Sequence, residues 1–260
     1  PEEVARQWDL ALDPERAAGW YARAAESSAR VAGPIAFEHA ERALARSRDP
    51  RVRWRALLAQ DTATQIDGDR GRHGACVAAL EALAPDLGVE EMAEAAWRRC
   101  YLARVTAKPD EARAAAALAI DLADGAAAAR VGVQARVELS LMEANEGRWA
   151  EAAAHAATAE SLARADGDPW LLARAQTTLG YVLAEVGRAA EALSLFDGAA
   201  GAYARAGDEN GPFVHGIRRR VRRSRDIRIR PDRNGRAAQR RTRKEWSNRG
   251  RPTRSPRPYR

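Results

Sequence analysis

Small and apolar residues recur along this chain in trios spaced four and then three positions apart. The trios are Ala36/Ala40/Ala43, Cys76/Leu80/Leu83, Ala112/Ala116/Ala119, Ala152/Ala156/Ala159 and Ala192/Phe196/Ala199, with leading residues 40, 36, 40 and 40 positions apart. A 4,3 spacing puts three side chains on one helix face. A face repeated at near-constant distance belongs to stacked helical hairpins, not to one globular core. Alanine is abundant, with 59 among residues 1–210, so fifteen random positions would hold about four; the trios hold eleven. A second marker sets the same register. Gly147-Arg148-Trp149-Ala150-Glu151-Ala152 returns 40 residues on as Gly187-Arg188-Ala189-Ala190-Glu191-Ala192, and the copies close on Gly167-Asp168 and Gly207-Asp208. Glycine there suits a left-handed helix end, and Asp suits the cap of the next helix.

The pattern predicts a leading helix over 2–12 with Val4, Trp8 and Leu12 on one face. Asp13-Pro14 then stops it and starts the next helix. Hairpins follow at 14–31 with 34–48, 51–66 with 72–84, 89–106 with 110–123, 127–146 with 149–165, and 169–186 with 189–206. Their joints are marked by Gly33-Pro34, Asp49-Pro50, Asp67-Gly68-Asp69, Lys108-Pro109-Asp110, Asp124-Gly125 and Asp168-Pro169. In the last hairpin Leu172, Leu179, Leu183 and Val186 are expected to meet Leu193, Phe196 and Ala199. Trp8, Trp20, Trp54, Trp97, Trp149 and Trp170 are gap fillers between alanine-rich helices, any one of which could anchor a partner. Alternating strand patterns are nearly absent, and no apolar run approaches about 18 residues.

Leu179-Gly180, Gly187, Ala192, Phe196 and Ala199 together resemble the tetratricopeptide repeat consensus. The resemblance covers about residues 14–208 and is best in the last two hairpins. It is weaker in the second, where Cys76 replaces the usual small Ala and Asp67 to Gly74 is expected to lengthen the turn. It implies an all-α solenoid, a right-handed superhelix of about five hairpins. The period near 40 is similar to the longer repeats that follow the ATPase core of large bacterial signalling ATPases, including LuxR-type transcriptional regulators. The opening segment Ala5 to Ala25 is similar to the passage from that core into the repeats. An ATPase domain is accordingly expected upstream of Pro1, and the lack of an initiator Met points to a piece of a longer protein.

Charge divides the chain. Residues 211–260 carry a net +16 and residues 1–210 a net −9. The expected organisation is a leading helix at 1–13, a repeat domain at 14–210 and an Arg-rich tail at 211–260. Cys76 and Cys100 have no CxxC pattern, so they read as reduced core thiols in a cytoplasmic protein. His39, His73, His155 and His215 lie in different repeats without ligand spacing, so no metal is expected. The segment Gly68 to Gly74 lacks the GKS/T ending of a phosphate loop. No nucleophile–base pairing is visible, most Glu residues suit solvated helix faces, and neither catalysis nor a cofactor is expected.

The tetratricopeptide resemblance implies that first helices line a concave groove that holds a protein or peptide. In this register the groove positions are Asp61 and Gln65; Glu94, Trp97, Tyr101 and Arg104; Gln134 and Asn145; and Arg174, Thr177, Tyr181 and Glu185. Trp97 and Tyr101 also suit the core between repeats. The tail offers a different partner. Arg218, Arg219, Arg220, Arg222 and Arg223, with Arg240, Arg241, Arg243 and Lys244, could neutralise nucleic-acid phosphates, and Trp246 or Tyr259 could stack on bases. Three readings of the tail stand open: a disordered basic arm for nucleic acid or another polyanion, a small folded nucleic-acid domain, or out-of-frame translation of a GC-rich gene. The last fits a chain with 41 Arg and 2 Lys whose repeat stops just past Asn210.

Overall fold

The computed structural model describes residues 1–29 and 32–207. Eleven α-helices fill these residues: α1 (Glu2–Leu10), α2 (Pro14–Ser28), α3 (Gly33–Arg46), α4 (Pro50–Asp67), α5 (Arg70–Leu83), α6 (Val89–Val105), α7 (Pro109–Gly125), α8 (Ala129–Asn145), α9 (Trp149–Asp166), α10 (Pro169–Glu185) and α11 (Ala189–Arg205). A single 3-10 turn, Ala84–Asp86, follows α5, and no strand occurs among the described residues. From α2 on, the helices pair into five antiparallel hairpins that stack in chain order, an all-α tetratricopeptide-like solenoid. The predicted tail at 211–260 lies outside the described residues.

The trios are the seam of this stack. Fourteen of their fifteen side chains are buried, and Leu83, at the end of α5, is half-buried. Alanine lets the paired helices approach closely while larger residues fill the space between layers. Phe196 shows the principle: it is fully buried, and a Cβ added at Gly180 would stand 2.8 Å from its ring. The Leu-Gly pair thus leaves a notch for the aromatic of the second helix. Helix starts follow the Asp-Pro signals. Asp49 accepts from Arg51 N at 2.7 Å, and Asp168 from Trp170 N at 2.7 Å and Leu171 N at 3.1 Å. Asp13 caps α2 through Arg16 N at 3.1 Å.

Three local expectations are corrected. The leading helix stops at Leu10, so Leu12 adopts a positive φ and is 89% exposed; the buried contact comes from Ala5, with Trp8 beside it. The segment Asp67 to Gly74 is not a long turn. Asp69 caps through Arg72 N at 3.0 Å, so α5 begins at Arg70 and takes Gly71 and Gly74 into its first turns. In the last hairpin Leu183 is buried and Leu179 packs half-buried with Phe196 and Ala199 as expected, but the stripe fails at its ends, where Leu172 is half-buried and Val186 is 45% exposed.

Candidate functional site

The first helices form one row, in which α2 packs on α4, α6 on α8, and α8 on α10. Between α4 and α6 the backbones barely meet. Long polar side chains fill that junction. Asp61 of α4 is fully buried; its Oδ2 accepts from Arg98 and from Gln65 Nε2 at 2.6 Å. Its Oδ1 lies 3.1 Å from His73 Nε2 of α5, without the alignment of a hydrogen bond. Arg98 Nε donates to Glu94 Oε1 at 2.9 Å, and its guanidinium rides 4.9 Å over the Trp97 ring. The Tyr101 ring lies 5.8 Å from that of His73. Burial pushes the Asp61 pKa up, but the His73 and Arg98 contacts together outweigh it and hold the carboxyl below its ordinary value.

Five expected groove residues, Asp61, Gln65, Glu94, Trp97 and Tyr101, therefore do gather at one place, but largely as a cross-brace between hairpins. Asp61 and Trp97 are not surface positions: one is the anion of a buried ion pair, the other core between α6, α7 and α8. Gln134 is buried as well, and Asn145, the last residue of α8, is exposed apart from the cluster.

Further along the row, three helices meet through one carboxylate. Glu138 of α8, fully buried, accepts from Arg104 Nε of α6 on Oε2 and from Arg174 of α10 on Oε1. The Arg104 guanidinium lies 5.1 Å over the Tyr101 ring and that of Arg174 5.5 Å over Trp170. Thr177 spends its hydroxyl on Ala173 O at 2.8 Å within α10. Tyr181 and Glu185 are half-buried on the same helix, and burial, with Glu185 nearby, raises the Tyr181 phenol pKa. Arg98 and Glu138 were not anticipated as site residues. The available signal was spacing: Asp61 to Arg98, Arg104 to Glu138 and Glu138 to Arg174 are 37, 34 and 36 residues apart, about one repeat each.

The architecture has solved counterparts. The chain superposes on the apo form of RapI with a TM-score of 0.56 at 11% identity, covering 81% of this chain and 84% of that one. BtubC (BKLC) from P. vanneervenii gives 0.52 at 15% identity, over 83% of this chain and 96% of that one. A Rap protein complexed with Competence and Sporulation Factor gives 0.53 at 14% identity, over 84% of this chain and 65% of that one. At these identities the likeness is one of fold. No family model and no curated protein matches the chain.

The cysteines and histidines of the described helices are buried or half-buried. Cys76 and Cys100 are buried and unpaired, and burial pushes their thiols up to about 11 and about 12 respectively, far from a reactive thiolate. His39 is buried and stacks on Tyr21 with centroids 6.1 Å apart, and burial lowers the pKa of His155. No group of three metal-ligating side chains occurs among the described residues, and none of the described helices is long and apolar enough to cross a membrane. Glu143 is also buried, paired with Arg148 and Arg113, so the expectation that Glu residues sit on solvated faces fails for it and for Glu138. The predicted tail contacts, Arg218 to Arg223 and Arg240 to Lys244, lie outside the described residues.

Proposed function

We propose that the repeat domain is an interaction or sensor module that binds an extended peptide or partner helix along the row of first helices and carries out no reaction of its own. The observation that supports this best is the convergence of α6, α8 and α10 on Glu138. It leaves Arg104, Tyr101, Arg174 and Tyr181 half-exposed around a fixed polar centre. Rings and guanidinium groups held in place from behind lose little freedom when a partner binds, which favours them as anchors. The likeness to a Rap protein solved with Competence and Sporulation Factor supports a binding role for the fold. A place behind an ATPase core in a larger bacterial regulator is our proposal from the similarity of the opening segment.

The test is fluorescence anisotropy of the full chain with labelled random nonapeptide pools. Binding should weaken about tenfold in Tyr101→Ala/Tyr181→Ala, the loss of two anchor rings. Unchanged binding by that variant, with its helical circular dichroism intact, removes the row of first helices as the site. The second reading, nucleic-acid binding by residues 211–260, draws on their net +16. Gel shifts of residues 1–260 against 1–210 decide it, because phosphate-driven binding disappears with the tail and falls steeply with salt.

A further inference from the structure

Around Glu138 the charges do not balance. Two guanidinium groups, from helices two hairpins apart, share one carboxylate, and both carboxylate oxygens are already used. The Glu138 side chain is 1% exposed, whereas those of Arg104 and Arg174 are 28% and 23% exposed. The anion is sealed beneath and the edges of both cations stay open. Among the described residues neither arginine is paired with a second carboxylate. Each guanidinium has five N–H donors in a planar fork, so donors remain beyond those given to Glu138. Tyr101 and Trp170 hold the two planes from one side. At the neighbouring junction both carboxylates, Asp61 and Glu94, are already paired with Arg98.

We infer that Arg104 and Arg174 together grip an Asp or Glu side chain within an extended peptide lying across α6, α8 and α10. This rests on the peptide-binding reading above and specifies its ligand. One surplus positive charge is matched by one carboxylate. A dianionic phosphate would instead leave excess negative charge beside the buried Glu138, where low polarity makes it costly. The guanidinium forks also suit the two oxygens of a carboxylate. The row continues past the site on either side, toward α4 and down α10 to Tyr181, so a bound chain passes over it and an internal side chain, not a chain end, meets the arginines.

The probes are nonapeptide pools, N-acetylated and C-amidated, with Asp, Glu, Asn or phosphoserine fixed at the centre, and a pool with central Asn and a free C-terminal carboxylate. Each is titrated into the full chain at physiological salt. The Asp and Glu pools should bind about tenfold tighter than the amidated Asn pool, the increment of one charge-assisted pair. Arg104→Gln and Arg174→Gln should each remove most of that preference while the helical circular dichroism is retained at the titration temperature, although both lower the melt by leaving buried Glu138 one cation short. Glu138→Gln should enlarge it by removing the competing anion. Arg104→Lys keeps the charge without the fork; it should keep part of the preference, and it serves if the Gln variant does not fold. The basic residues 211–260 attract acidic peptides independently of these substitutions and set a constant background, so a preference that is undiminished in Arg104→Gln/Arg174→Gln overturns the inference. Equal binding of all pools, weakened by Tyr101→Ala/Tyr181→Ala, overturns it while leaving the peptide-binding reading intact. Binding of no pool overturns both. A stronger response to the phosphoserine or free-carboxylate pool overturns the assignment to an internal acid.

Discussion

Gly180 is the residue on which the last hairpin closes. A methyl group there would press within 2.8 Å of the Phe196 ring, and the fully buried ring has nowhere to retreat. Gly180→Ala is expected to cost about 1–3 kcal/mol in urea denaturation, the usual range for an overpacked core, and Gly180→Ala/Phe196→Leu to recover part of it. No recovery in the double variant would show that the ring is not the obstacle. At this scale the sequence spoke clearly about small residues and poorly about charged ones. Alanine and glycine at fixed intervals have one common use in stacked helices, so the buried seam was legible from the trios. A glutamate has two: Glu111 stays half-exposed between Arg99 and Lys108, while Glu138 is sealed under two arginines. Nothing in local composition separates them, because the partners of Glu138 come from neighbouring repeats.

Among elements, the turns keep a beat of their own. Gly68, Gly88, Ala107, Ala127, Gly147, Gly167, Gly187 and Gly207 all have positive φ and follow one another every 19 or 20 residues, one helix plus one turn. Six are glycine; Ala107 and Ala127, at φ 58° and 54°, hold a left-handed conformation that disfavours a Cβ. Ala107→Gly and Ala127→Gly should each stabilise the fold by about 0.5–1 kcal/mol in urea melts, although glycine raises unfolded-state entropy. A loss of stability would mean the methyl groups pack usefully. The junction of α4 with α6 depends instead on charge. Arg98→Met leaves Asp61 buried beside His73 without its main counter-ion and should cost about 3–5 kcal/mol, with Asp61→Leu/Arg98→Met recovering much of it. Hydrogen exchange of Arg98→Met should show α1–α5 opening separately from α6–α11; uniform exchange would place the weak joint elsewhere. The weaker repeat resemblance of the second hairpin, with Cys76 in place of Ala, marked it as unusual, but the expected departure was a longer turn at Asp67 to Gly74. The irregularity is in fact a gap between first helices, bridged by side chains.

For the whole molecule, acid is the expected weak side. Arg46 holds Asp9 below its ordinary pKa, Arg148 does the same for Glu143, and Asp61 is lowered against its own burial. A carboxyl whose folded pKa lies below its unfolded value adds stability above the unfolded value and loses it as pH falls through the folded one. Thermal midpoints should thus be nearly level from about pH 8 to 5 and drop below about pH 4, near the unfolded carboxyl values; a level profile to pH 3 would mean these pairs add nothing. The fold class, the five hairpins and their register were all legible because each is a repeated local pattern. Which helices share a charged group was not, since that depends on how the repeats stack. The short turns also bear on how such a chain is degraded. The connectors between the described helices run to two or three residues, apart from the α2–α3 link, which includes residues 30 and 31, and the 3-10 turn after α5. A protease that needs a slack, extended segment finds almost none in the folded repeats. Cleavage within them must wait for a helix to lift away, so the rate of nicking measures how often each hairpin opens.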